Sequence, residues 1–264
     1  MVAVLTMEIN GRPATTDDLH RVATWNYGHF TSMQVRGGAV RGLELHLRRL
    51  AGASRELFGS AVEAQDERIP ELIRHGLGDQ SDASVRVSIV PTATSLARTD
   101  VMVSVSDPVA DTPKPPLRVR TVTYERELPH LKHAATLGLT HQFLQARNAG
   151  FDDVLFLGRD GLLREGSVWN LALWDGHQVL WPEAPVLPGI TMQLLQAGLS
   201  RIGVPWSARR LTTDSLSALR AAAATNSHCP SQPLAGIDEF AFTGGQELTE
   251  VLDAAWATVP WDSV

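Results

Sequence analysis

The sequence predicts an α+β fold, and three observations carry that reading. Segments with a two-residue apolar period and segments with helical spacing are mixed without a strict strand–helix–strand repeat, hairpin signals recur, and a proline-bearing stretch divides the chain. At 264 residues the chain is long for one simple core and suits one large domain or two modest ones. We place a small N-terminal α/β domain at 1–106, a linker at 107–117 that carries Pro108, Pro113, Pro115 and Pro116, and a C-terminal domain at 118–264.

The elements follow from local pattern. VLTMEINGRPA alternates around an Asn-Gly turn signal and reads as a hairpin. Phe30 to Val35 is a strand ending at Gly37–Gly38, followed by another short strand. LELHLRRLAGASRELF has apolar residues at 43, 45, 47, 50, 57 and 58 between Gly42 and Gly59, which predicts a helix. A second helix is expected across 64–77, then two strands, ASVRVSIVP and DVMVSVSD. In the second half a helix is expected over roughly 134–148, stopped by Gly150, with Lys132 at the start of its apolar-periodic stretch. DDVLFLG reads as a strand, RDG as a turn, and SVWNLALWDGHQVLW as a hairpin with Asp175–Gly176 at its tip. LPGITMQLLQAGLSRIG opens a helix after Pro188–Gly189, and a short helix near 214–219 and a strand near 220–224 follow.

Bulk composition narrows the function classes. Hydrophobic residues make up 44% and charged residues 20%, as in an ordinary globular protein. The formal net charge is −6 and basic runs stop at Arg48–Arg49 and Arg209–Arg210, so no nucleic-acid partner is expected. The single Cys229 excludes an intrachain disulfide and fits a reducing compartment. The N-terminal residues lack a basic segment followed by an apolar one, and no apolar run approaches the ~18 to 20 residues of a membrane span. A cytoplasmic protein without membrane attachment is expected.

The chain uses 21 arginines and two lysines, Lys114 and Lys132. Lys114 lies in the proline-rich linker, whereas Lys132 lies in the apolar context LPHLKHAATLGL. Codon bias towards Arg accounts for the scarcity, but it leaves open why one Lys stays in an apolar setting. Arg cannot form a Schiff base; Lys can, once its surroundings lower its pKa. An aldehyde cofactor that carries a phosphate needs such an amine, a carboxylate for a pyridine nitrogen and a cradle for the phosphate. Lys132 is the available amine and Glu165, beside Gly166, the candidate carboxylate. LPGITM supplies helix-start N–H groups at 189–191 that favour an anion, and Arg49 can add a bidentate contact. Each signal alone has an ordinary reading: a solvated turn Glu, a helix start, a surface Arg.

Their order along the chain resembles the class IV aminotransferases, the fold-type IV pyridoxal phosphate enzymes, which include branched-chain and D-amino acid aminotransferases and aminodeoxychorismate lyase. The similarity runs over nearly the whole chain: YGHFTSMQV, the H-x-x-R-L of His46, Arg49 and Leu50, Lys132, AGFDDVLFLGRDGLLREGSVWNLALW, LPGIT at 187–191 and ATNSHCPSQPLAGID. The resemblance implies two α/β domains with the cofactor between them, 118–264 being the domain that binds pyridoxal 5'-phosphate. It also implies a homodimer whose partner chain completes the pocket for a small-molecule substrate. By the same resemblance Lys132 forms the imine and moves the proton, and Glu165 pairs with the pyridinium nitrogen. Arg49, the backbone of Ile190 and Thr191, the Thr191 hydroxyl, and Ser227 beside Asn226 hold the phosphate, while Ser167 and Asn170 support the cofactor-side strand.

The resemblance leaves the reaction open between two branches. Transamination of an amino acid or related amine is the family's commonest activity and the primary expectation. Phe30-Thr31 looks like the F-T-T-x-R-V of the lyase branch, which eliminates pyruvate from 4-amino-4-deoxychorismate and in which the first Thr is catalytic; Thr31 is therefore a catalytic candidate. Lys132-His133 with Leu137 also looks closer to that branch. Thr31 chosen for strand propensity is the plain alternative. Pro91 stands where the family often has Arg, which leaves Arg98, with Phe30, as the substrate-contact candidates; Met192 stands where an Arg commonly follows the Thr. A third reading is a degenerate family member that binds without catalysis, against which Lys132, Glu165 and Arg49 stand together. His130, His133 and His141 lack a joining carboxylate motif, so no metal is expected. Nucleotide-binding glycine motifs and a G-x-S-x-G are missing from the sequence.

Overall fold

A computed structural model describes residues 3–59, 68–92, 95–110 and 112–264, without the side chains of 95–97. It is a mixed fold, 31% helix and 33% strand, as the alternation of periods predicts. The chain forms two compact units. The first comprises Met1–Ala110, Leu131–Ala135 and Pro260–Val264; the second comprises Asp111–His130 and Thr136–Val259.

The first unit runs β1 (Val4–Ile9), β2 (Arg12–Pro13), α1 (Thr16–Thr24), β3 (His29–Val35), β4 (Ala39–Val40), α2 (Leu43–Phe58), α3 (Ile69–Leu77), β5 (Ala83–Thr92) and β6 (Ser95–Ser106). Of the helix expected across 64–77, residues 64–67 lie outside the described residues. The β1–β2 hairpin turns at Asn10 and Gly11, both at positive φ, as an Asn-Gly turn requires. A five-stranded antiparallel sheet has the order β2-β1-β6-β5-β3. One face is apolar: Met33, Val35, Val85, Val87, Ile89, Val101, Val103 and Val105 pack with Leu50 and Phe58 of α2 and Ile69 and Ile73 of α3. Burying such a face is the main driving term for this unit. The returning C-terminal strand Asp262–Ser263 pairs with β4, and Asp262 Oδ2 accepts the Leu43 N–H at 3.0 Å where α2 begins.

Residues 131–135 join the same unit through main-chain pairing. Phe30 N donates to Lys132 O at 2.9 Å, Ala134 N donates to Gly28 O at 2.8 Å, and His29 bridges His133 in antiparallel register. Lys132 therefore sits in an extended segment on the open edge of β3. This corrects the expectation that it starts a helix: α4 begins only at Leu137, because pairing to β3 claims the preceding backbone.

The second unit runs β7 (Leu117–Thr123), α4 (Leu137–Asn148), β8 (Asp153–Leu157), β9 (Leu163–Gly166), β10 (Asn170–Trp174), β11 (Val179–Pro182), α5 (Ile190–Arg201), β12 (Trp206–Arg209), β13 (Ala221–Thr225), β14 (Gln232–Ile237), β15 (Phe240–Ala241) and α6 (Gly245–Ala257). Thr213–Ala218, expected as a short helix, is a 3₁₀ turn. Its sheet has the order β12-β11-β10-β13-β14-β7-β8-β9, and a further β9–β10 pairing closes the path from β10 to β9 into a ring. Alternation divides the side chains. Leu171, Leu173, Ala222 and Ala224 enter one core with Val119, Leu155 and Leu163, while Ala172, Trp174, Ala221 and Ala223 face Leu195, Leu199, Leu248 and Leu252 of α5 and α6. Alanines on β13 and Gly198 on α5, whose Cβ would meet the Ala255 carbonyl, let these helices approach closely.

Candidate active site

In the first unit, Lys132 is positioned by backbone and its side chain by Phe30. The β3 bridge puts Lys132 opposite Phe30, and Lys132 Nζ lies 4.9 Å from the centroid of the Phe30 ring. Phe30 is buried and Lys132 half-buried. This is the sheet face opposite the apolar one, and it carries Ser32, Gln34, Ser84, Arg86, Ser88, Met102 and Ser104.

Alternation places Thr31, the expected catalytic hydroxyl, on the apolar side of β3. It shares the parity of Met33 and Val35, is fully buried, and its Oγ1 lies 2.6 Å from His46 Nδ1 on α2. Ser32, half-buried, is the neighbouring hydroxyl on the Phe30 face. Arg49 stands one turn beyond His46 on α2, and burial pushes its pKa down to about 10 while leaving it a cation at neutral pH. Arg98 is exposed on β6 near the tip of the β5–β6 hairpin.

Burial pushes the His46 pKa down to about 3, helped by the charges of Arg49 and Lys132, and that of His29 to about 4. Both rings are neutral when folded. Unfolded imidazoles bind protons below about 6.5, so the unfolded state holds more protons between that pH and these depressed values. Stability should therefore be full above about pH 6.5 and fall on acidification, by roughly 2 kcal/mol per ring at pH 5. Urea unfolding between pH 7.5 and 5 measures this, and His46→Gln should flatten its share of the slope.

In the second unit, Glu165 is 5% exposed at the end of β9. Arg126 Nη1 donates to its Oε1 at 2.9 Å and Leu187 N donates to its Oε2 at 3.0 Å. Asn170 Nδ2 donates to Leu187 O at 2.8 Å. The Leu187 peptide is thus clamped from both ends, two residues before the Gly189 that caps α5. Asn170 Oδ1 occupies the space a Cβ on Gly189 would need, so a glycine is required there. The first bond of the α5 ladder is Gln193 N to Gly189 O, which leaves the N–H groups of Ile190, Thr191 and Met192 outside it. Ile190 and Thr191 are both 6% exposed. These N–H groups, the Thr191 hydroxyl and the helix dipole make an anion cradle, and a buried carboxylate stands on the strand tied to it. The donor set therefore fits a phosphorylated pyridine.

Two expected cofactor residues carry structural hydrogen bonds. Ser167 hydrogen-bonds the buried Asp153, which also accepts from Trp169 Nε1 at 3.0 Å; burial still raises the Asp153 pKa above the usual carboxylate range. Asn226 Oδ1 accepts from His228 N at 2.9 Å and Cys229 N at 3.1 Å, closing the turn that presents the exposed Ser227. Arg126 is the partner that the sequence reading missed; its position six residues before Lys132 gave no signal of a link to Glu165. Gly166 has no room for a Cβ because the Trp169 indole fills that space. Gly166→Ala should cost about 1–3 kcal/mol by overpacking and weaken cofactor retention by displacing Glu165, as read by thermal melts and cofactor dissociation.

No curated protein sequence matched the chain. Solved structures match almost end to end. The Escherichia coli branched-chain amino acid aminotransferase has 16% identity and a TM-score of 0.80, covering 97% of this chain and 95% of that one. The branched-chain aminotransferase from Thermoproteus uzoniensis with norvaline has 20% identity and a TM-score of 0.76, covering 96% of each chain. A hypothetical aminotransferase from Mycobacterium tuberculosis, in its PLP-bound form, has 18% identity and a TM-score of 0.77, covering 96% of this chain and 99% of that one. At these identities the likeness shows a shared fold. The family model for amino-transferase class IV matches residues 28–237, most of the chain and all of the candidate residues, so the chain belongs to the class IV aminotransferases.

Proposed function

We propose that this chain is a pyridoxal phosphate-dependent aminotransferase that moves the amino group of an amino acid or related amine. The observation that supports it best is the clamp on Leu187: the buried ion pair of Glu165 with Arg126 is linked through one peptide to the anion cradle at α5. When bound, pyridoxal phosphate supplies a carbonyl for amine capture and a ring that withdraws the electrons left at the substrate Cα. Glu165 holds a proton on the ring nitrogen, and Arg126 keeps that carboxylate in place. Ile190, Thr191 and Ser227 would hold the phosphate. With the cofactor bound, Lys132 Nζ would supply the amine, accept the substrate Cα proton and deliver it to the carbon that had carried the cofactor's carbonyl. Its main-chain pairing to β3 keeps that nitrogen at a fixed place on the Phe30 ring.

Of the two features that resemble the lyase branch, Phe30-Thr31 and Lys132-His133 with Leu137, the first has its Thr31 hydroxyl 2.6 Å from His46 Nδ1, which supports transamination as the first reading. The test incubates the protein carrying its cofactor with single amino acids and follows formation of the matching 2-oxo acid. Stoichiometric conversion with at least one amino acid is expected. No conversion with any of them, together with pyruvate release from 4-amino-4-deoxychorismate, overturns the proposal in favour of the lyase.

A further inference from the structure

The loop between β13 and β14, residues 226–231, leaves the sheet beside the start of α5. Thr225, the last residue of β13, pairs with Asn170 on β10, and its Oγ1 donates to Asn170 O at 3.4 Å. The same Asn170 holds the Leu187 carbonyl and sets its Oδ1 against Gly189, the residue that caps α5. Ser227, exposed and two residues past Thr225, therefore stands at the same end of the sheet as the anion cradle.

The two ends of this loop are held differently. At its start Asn226 closes a turn on His228 N and Cys229 N, and its own N–H donates to Cys229 O at 3.0 Å. At its far end the ladder gives little support. The β13–β14 register stops at Ala224 opposite Gln232, one step short of Thr225 and Ser231. Pro230 and Pro233, which flank Ser231 and Gln232, have no N–H to donate. The Gln232 side chain is committed elsewhere, accepting from Lys114 N at 2.7 Å. What holds this end is the Ser231 side chain, 1% exposed, whose Oγ donates to Asp253 Oδ1 on α6 at 2.5 Å. A hydroxyl that donates to a carboxylate makes the short, strong kind of hydrogen bond. Among the described residues the Asp253 carboxylate has no other partner. Its helix is a firm anchor, because Leu248, Leu252 and Ala255 are buried with Ala221 and Ala223 of β13.

We infer that Asp253 is a positioning residue for the cofactor phosphate. Through Ser231 it ties the 226–231 loop to α6 and so keeps Ser227 in place beside the cradle at Ile190 and Thr191. The inference rests on the phosphate role given above to Ser227. It concerns affinity for the phosphate, whichever reaction follows.

The experiment dialyses the full-length protein to equilibrium against pyridoxal 5'-phosphate and, separately, against pyridoxal, which lacks only the phosphate, and measures bound ligand by absorbance. Asp253→Ala should weaken pyridoxal 5'-phosphate binding by about 10-fold, the loss expected when one hydrogen bond to a charged group is misaligned, and leave pyridoxal binding within about twofold of wild type. Asp253→Asn keeps an acceptor for Ser231 Oγ and should recover part of the loss. Ser231→Ala should match Asp253→Ala, and the two together should cost no more than either alone, since both break one contact. Equal weakening of both ligands means that Asp253 serves only the fold and overturns the inference; so does unchanged binding of pyridoxal 5'-phosphate. Ser227→Ala separates the two levels. A phosphate-selective loss there, with wild-type binding in Asp253→Ala, overturns the inference alone. No loss in Ser227→Ala overturns the phosphate role of Ser227 and the inference with it.

Discussion

Lys132→Ala should abolish transamination, with amino acid half-reaction rates falling by at least about 10⁴-fold. The side chain is both the attacking amine and the base for the substrate Cα proton, and groups that act in several steps cost at least as much as a single general base when removed. The fold should be nearly untouched. What holds the segment is the pairing of Phe30 N with Lys132 O and of Ala134 N with Gly28 O, and alanine preserves both. Thermal unfolding should move by less than the equivalent of about 1 kcal/mol. Borohydride treatment followed by peptide mapping gives a direct check: the cofactor mass should appear on the peptide containing Lys132 in wild type and on no peptide in the variant. Fixation on the Lys114 peptide would refute the assignment, since Lys114 is the other lysine of the chain.

Glu165→Gln should have the next largest effect, and on two observables at once. The amide keeps the volume and can still accept from Leu187 N, but it loses the charge that Arg126 faces across 2.9 Å. Both side chains of that ion pair are under a tenth exposed. Removing one partner of a buried pair leaves an uncompensated charge and costs about 3–5 kcal/mol. Activity should fall by about 10²- to 10³-fold, the size of effect seen when one preorganised electrostatic partner is lost. Arg126→Met combined with Glu165→Gln should restore much of the stability, because the orphaned charge is gone, and none of the activity. A double-mutant cycle on unfolding free energy and kcat separates the two roles. If both fall and recover together, Glu165 is a structural anchor and its role towards the ring nitrogen fails.

Local pattern made much of this legible. The period and glycine boundaries of 43–58 predict α2, Asp175–Gly176 predicts the β10–β11 hairpin, and Pro188–Gly189 predicts the start of α5. These succeed because each depends on neighbours within one helical turn or one hairpin. The start of α4 was read too early, because the backbone of 131–135 is claimed by a strand a hundred residues away. The placement of Thr31 has a different lesson. The signal was in the sequence: Met33 and Val35 are the apolar side of that strand, so Thr31 belongs to the core by parity.

By itself the sequence determined the residue types that the chemistry needs and their order along the chain: one lysine in an apolar setting, a Glu-Gly pair at a strand end, and a glycine opening a helix. It could do so because amine, carboxylate and anion cradle are properties of single residues or short segments. Only the tertiary structure decided what each of them faces. It paired Glu165 with Arg126, gave the Thr31 hydroxyl to His46, and laid Arg86 and Lys132 on one phenylalanine ring. Those choices depend on sheet register and on which strand edge a returning segment finds, and such contacts are set by the burial of an entire sheet face, which no local window of sequence contains.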